Sequence, residues 1–106
     1  MGEQIDERTL TNVIVWDAVL KPLGYEQVTV TVATGLTVPA GTRVALIQSQ
    51  GQDVRWRDDG TSPSATVGMI IFAGESLWYN GDFAAFEGIE ALVGGKLNVS
   101  YYGQGA

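Results

Sequence analysis

The chain is expected to form one all-β domain, a β-sandwich or jelly-roll-like module of seven or eight short antiparallel strands. Three observations predict it. Apolar side chains recur at every second position in short runs, most cleanly in residues 25–32, YEQVTVTV. There Val28, Val30 and Val32 share one face and Gln27, Thr29 and Thr31 the other, the period of a half-buried strand. Turn chemistry then punctuates the chain at Pro39-Ala40-Gly41, Asp59-Gly60, Ala73-Gly74 and Asn80-Gly81. Finally, 106 residues with 45% apolar side chains suit a single domain that buries a core without covalent staples.

The elements follow in order. Residues 1–12 read as a flexible N-terminal arm, acidic and polar, with Ile5 and Leu10 as its apolar points and able to order on a neighbouring subunit. The folded domain is expected to span 13–103. A short β-prone run covers 13–16, and Lys21-Pro22-Leu23-Gly24 breaks the chain before the alternating strand at 25–32. Gly35 interrupts, and Leu36-Thr37-Val38 continues as a short strand. The turn at Pro39-Ala40-Gly41 leads into a strand over 43–48. Ser49-Gln50-Gly51-Gln52 has hairpin length and returns the chain through 53–57. An exposed loop, Thr61-Ser62-Pro63-Ser64, precedes a strand over 66–72 in which Gly68 marks a bulge or a close backbone approach. Residues 76–79 form the next strand, and Asn80-Gly81 is a strong hairpin signal. Residues 82–93 are ambiguous. Phe83, Phe86, Ile89 and Leu92 recur every three residues and Asp82 could cap a helix, but Gly88 argues against one. A loop with a short strand near 86–89 is preferred. Residues 96–102 close the fold, and 104–106 form a disordered tail.

Composition narrows the function. Only 17% of residues are charged, so the surface is either clad in neutral polar side chains or partly covered by a partner. Twelve carboxylates face six cations, for a formal charge of −6. Phosphate recognition runs on clustered Lys and Arg, so neither nucleic acid nor an anionic membrane is an expected partner. No run approaches the length of a membrane span. The N-terminus, MGEQIDERTL, lacks the apolar core of a secretory signal, which implies cytoplasmic synthesis. Without histidine or cysteine, the commonest general base, the strongest nucleophile and thiolate metal sites are all missing. No enzyme and no cofactor are expected. The remaining enzymatic reading needs carboxylates such as Asp58, Asp59 and Glu75 to converge in a pocket. The turns Val38-Pro39-Ala40-Gly41 and Phe72-Ala73-Gly74-Glu75 resemble those of cupin-type jelly rolls, but the histidine cluster of metal-dependent cupins is absent.

Most of the informative residues lie between positions 53 and 81. Arg55 and Arg57 lie two apart and so share a strand face, as a contact patch or as part of an ion-pair ladder. Asp58-Asp59-Gly60 could begin a calcium loop, but no terminal carboxylate follows at the required spacing, and a solvated turn is preferred. Trp56 shares its face with Val54 and is assigned to the core. Trp78 and Tyr79 point to opposite faces, one inside and one out. Tyr101 and Tyr102 pose the same choice. An outward aromatic near Asn80 and Asp82 could stack on a sugar or pack on another subunit.

Between positions 54 and 68 the segment VRWRDDGTSPSATVG resembles small virion proteins of tailed bacteriophages, which share an R-W-x-D-G pattern, lengthened here by one Asp to Arg55-Trp56-Arg57-Asp58-Asp59-Gly60, a Thr/Pro turn and A-x-x-G. Trp78-Tyr79-Asn80-Gly81-Asp82 and Leu97-Asn98-Val99-Ser100-Tyr101-Tyr102 extend the resemblance, which covers roughly residues 42–103. It implies a structural protein on the outer capsid surface, a head decoration or cement protein that bridges neighbouring subunits of the major capsid protein. It also implies a homo-oligomer, with a trimer favoured. Contacts are expected from Arg55, Arg57, Trp78, Tyr79 and Tyr102, with Ile5 and Leu10 in the arm. The alternative is a carbohydrate-binding module or a neck- or fibre-associated adaptor of a virion.

Overall fold

The alternating pattern resolves into eight strands in a computed structural model that describes residues 20–104. They are β1 (Leu20–Thr29), β2 (Thr34–Gly35), β3 (Thr42–Gln50), β4 (Val54–Arg57), β5 (Met69–Ile71), β6 (Ser76–Tyr79), β7 (Glu87–Glu90) and β8 (Lys96–Gln104). Two four-stranded antiparallel sheets result, in the orders β1-β8-β3-β6 and β2-β7-β4-β5. The pairs β1·β8, β2·β7, β3·β6 and β4·β5 are nested one inside the next. The chain is therefore a long double ribbon rolled upon itself, and the β3·β8 and β4·β7 ladders join the ribbon's turns into sheets. This is the jelly-roll arrangement expected from the sequence.

The core lies between the sheets. Strand β8 alternates without a break: Leu97, Val99 and Tyr101 are buried, while Asn98, Ser100 and Tyr102 face outward. Ala45 and Ile47 of β3 stand beside them on the inner face, in register with Tyr101 and Val99. Val54 and Ile71 close the core from the second sheet. Among the described residues Ser49 is the one non-aromatic polar side chain that is buried, and its hydroxyl donates to the Gln52 carbonyl at 2.5 Å, so its burial leaves no unmet bond.

Several elements differ from the sequence reading, each for a local reason. Lys21-Pro22-Leu23-Gly24 does not break the chain but lies inside β1. A register shift between Pro22 and Gly24 absorbs the proline, which an edge strand tolerates because one side of its ladder is unpaired. The alternation at 28 and 30 holds, but β1 ends at Thr29 and Val32 is 67% exposed. Residues 36–38 are not a strand. Leu36 and Val38 still pack on the core, while the Thr37 N–H donates to the Glu26 carboxylate at 2.8 Å, and the short pairing falls on Thr34–Gly35 instead. The strand expected over 66–72 is confined to Met69–Ile71, and β8 runs through Gln104. Neither 49–52 nor Asn80-Gly81 makes a hairpin, because each joins strands of different sheets. In a two-layer fold a tight link can arch across the core as readily as reverse within a sheet. Asp82 caps a single turn: its carboxylate accepts from the Ala84 and Ala85 N–H groups, after which β7 begins. The arm at 1–12, the run at 13–16, and Ile5 and Leu10 lie outside the described residues, as do the last two residues of the tail.

The arch at Gly51 depends on glycine twice over. Its φ is +86°, and a Cβ there would sit 2.3 Å from the Gly94 carbonyl oxygen. Gly41 has nearly the same φ, +87°, with open space around it. Gly41→Ala is expected to lose about 1 kcal/mol of stability from backbone strain alone, and Gly51→Ala more than about 3 kcal/mol because two arches must also separate. Urea unfolding of the two variants measures the difference.

Candidate functional site

Alternation along β8 and its neighbours builds the outer face of the β1-β8-β3-β6 sheet. One row across the four strands carries Gln27, Asn98, Gln48 and Ser76. The next carries Tyr25, Ser100, Leu46 and Trp78, and Tyr102 begins the row beyond. The amides are tied together through Asn98. Its Oδ1 accepts from the Tyr25 hydroxyl at 2.7 Å and from Gln27 Nε2 at 3.0 Å, and its Nδ2 donates to Gln50 Oε1 at 2.8 Å and Gln48 Oε1 at 3.2 Å. Between Tyr25 and the amides lies an open depression of about 210 Å³, lined by Tyr25, Leu46, Gln48, Ser76, Asn98 and Ser100. None of these six side chains is charged.

The aromatic choices left open by the sequence are settled by register. Trp78 pairs with Leu46 on the outer face and is 39% exposed, with its ring 5.8 Å from that of Tyr102 at a tilt of 50°. Tyr79 pairs with Ala45 on the inner face and is only 5% exposed, so it is a core residue and not an exposed contact. Tyr101 is likewise inside, and its hydroxyl donates to the Glu26 carboxylate. Trp56 stacks on Phe86 at 5.2 Å and meets Tyr79 edge-on, which confirms its place on the core side.

The arginine pair is not a docking patch of free cations. Arg55 donates through Nε to the Ala65 carbonyl and through Nη1 to the Gly68 carbonyl, fastening the 58–68 loop to β4. That loop passes so close that a Cβ on Gly68 would come 3.1 Å from the Trp56 carbonyl oxygen, the close approach anticipated for this glycine. Arg57 makes a two-pronged ion pair with Asp59, at 2.5 and 3.1 Å. Its guanidinium holds the Asp59 carboxyl below the usual carboxylate range, chiefly through that hydrogen bonding. A second depression of about 280 Å³ beside this pair is bounded by Val67 and Met69.

The carboxylates proposed for chemistry do not converge. Asp58 accepts from the Tyr79 hydroxyl at 2.6 Å, and Asp59 is held by Arg57. Glu75 precedes β6 while Tyr79 ends it, so Glu75 lies a whole strand away from Asp58. Among the described residues no three acidic side chains are grouped to hold a metal ion, and Asp58-Asp59-Gly60 is a turn whose acids are already engaged. The amide row was missed in the sequence, although Gln27, Gln48 and Asn98 all occupy the polar positions of alternating strands. Which strands lie side by side was the missing information.

Burial raises the hydroxyl pKa of both Tyr79 and Tyr101 above the usual tyrosine value, and the adjacent Asp58 and Glu26 carboxylates raise each further. A raised folded pKa means the neutral hydroxyls stabilise the fold fully below pH of about 10 and that this contribution is lost as pH rises beyond it. Urea midpoints measured between neutral and strongly alkaline pH should fall above that point, and Tyr79→Phe with Tyr101→Phe should flatten the fall. At neutral pH, Tyr79→Phe alone should cost about 2 kcal/mol, the usual loss for a hydrogen bond to a charged group.

No family model, curated protein or solved structure matches the chain.

Proposed function

We propose that this protein is a structural virion protein of a tailed bacteriophage, a head decoration protein that sits on the outer capsid surface and bridges subunits of the major capsid protein. The resemblance of residues 42–103 to small virion proteins supports the reading. The observation that carries it in the fold is an apolar loop end. The end of β1, the start of β8, the end of β3 and the start of β6 lie together, since Thr29 pairs with Lys96, Lys96 with Gln50 and Gln48 with Ser76. The loops leaving that end expose Val32, Phe72, Leu92 and Val93, the last at 86%. Backbone bonds tie these loops to one another: Glu90 N–H donates to Val30, Ala91 N–H to Asp53 and Gly74 N–H to Ser49. A rigid module with apolar side chains held at one tip is suited to burying them in the seams between shell subunits, and many copies on a lattice turn modest single contacts into firm attachment.

Purified protein added to heads that lack it should co-sediment with them to saturation and raise the temperature at which they rupture. Leu92→Ser with Val93→Ser should abolish both effects while leaving the isolated protein's thermal midpoint nearly unchanged, because exposed side chains contribute little to folding. Failure of the unaltered protein to co-sediment overturns the reading. Light scattering after size exclusion should give a mass of three chains, the closed oligomer expected at a threefold position.

A further inference from the structure

We propose that the outer face of the β1-β8-β3-β6 sheet is a binding site for a neutral saccharide, seated in the depression between Tyr25, Asn98 and Gln48. The site is distinct from the apolar loop end and does not depend on it.

Four properties of the face lead there. The depression, about 210 Å³, is small and open, of a size for one sugar ring and not for an extended peptide side-chain array. Its lining pairs an exposed aromatic ring, Tyr25 at 64%, with amide and hydroxyl groups. Sugars need both, since one face of a pyranose presents C–H groups to an aromatic surface and its rim presents hydroxyls that donate and accept in turn. The lining has no charge, in a chain carrying twelve carboxylates and six cations, which favours a neutral ligand over a phosphorylated or uronic one.

The fourth property is order. Asn98 is saturated by its four side-chain bonds, so its amide does not itself reach outward. It serves as a positioning residue that holds Gln48 and Gln50 by their carbonyl oxygens. That leaves the Nε2 donor of Gln48, and the Ser76 hydroxyl in the same lining, without a protein partner among the described residues. Donors fixed before binding lose little conformational freedom when a ligand arrives. Trp78 and Tyr102 extend the aromatic surface beyond the depression.

The test is a titration of the full chain, followed by amide NMR shifts, with neutral oligosaccharides: glucans, mannans, galactans and N-acetylglucosamine oligomers, with an alginate oligomer as the acidic contrast. Saturable shifts centred on Tyr25, Gln48, Ser76 and Ser100 are expected with at least one neutral sugar. Tyr25→Ala should weaken that association roughly ten-fold, the loss expected of one aromatic contact, with the thermal midpoint unchanged. Asn98→Ala should weaken it as well, and Asn98→Gln should not restore it, because the longer side chain moves the shared amide off both glutamines. The proposal is overturned if no saccharide produces shifts, if shifts map only to other surfaces, or if only the alginate binds and salt removes it. Protection of this face by isolated capsid protein, with no saccharide response, would also overturn it in favour of a protein interface. Loss of shell binding in the Leu92 and Val93 variants leaves this test unaffected, so the two readings fail separately.

Discussion

Tyr79 is where the two sheets are joined, and much else follows from its position. Its ring belongs to β6 in one sheet, yet it meets Trp56 of β4 and Phe86 beside β7 in the other, at centroid distances of 5.7 and 5.1 Å. Phe83 adds a third edge-on contact at 5.3 Å. The phenol oxygen donates to the Asp58 carboxylate and lies 3.1 Å from the Asp82 carbonyl. A buried aromatic of this kind supplies a large apolar area and one satisfied polar tip. Asp58, which looks like a solvated turn acid in the sequence, and Asp82, which looks like a helix cap, both lie at this tip: one accepts from the hydroxyl, and the other turns the chain beneath it.

Because side chains alternate along a strand, Tyr79 inside places Trp78 outside. Trp78 then stands on the same face as Tyr102, Ser100 and Asn98 of β8, and through β8 on the same face as Tyr25 and Gln27 of β1. The amide and aromatic surface is in this sense the reverse side of the core. Its polar row is spaced by the ladder that spaces Leu97, Val99 and Tyr101 within. A one-residue slip of β8 would exchange the two sets, bury Asn98 and expose Leu97, so the core enforces the geometry of the outer face.

The nested pairing also decides which distant segments meet. The β1·β8 ladder pairs Leu20 with Gln104, the limits of the described chain. Such distant pairings carry the full entropy of closing the intervening chain, so a fold of this type is slow to assemble relative to its stability. The arches are kept tight in compensation. Gly51 lies against Gly94, Ser49 bonds across its own arch to Gln52, and Glu90 accepts from the Gly94 and Gly95 N–H groups. The exposed apolar residues at that end are thus carried on loops braced by hydrogen bonds.

Strand content, the inward set Val28, Val54, Leu97 and Val99, and the opposition of Trp78 to Tyr79 were determined by the sequence alone, because each follows from a period of two along a short segment. The brief strand before residue 90 was legible for a similar reason, since Gly88 weighed against a helix. What only the tertiary structure decided was adjacency. Asn80-Gly81 carries the chemistry of a hairpin, but the choice between reversing within a sheet and crossing to the other depends on which strand waits to be paired. Arg55 and Arg57 read as a contact patch or part of an ion-pair ladder, yet the loop that returns over β4 supplies carbonyls to one and Asp59, two residues along the chain, engages the other. The amide row across Gln27, Asn98 and Gln48 joins residues about seventy and fifty positions apart. Local pattern sets which side of a strand a residue occupies. The neighbours it meets there are set by long-range pairing, which one strand's alternation does not encode.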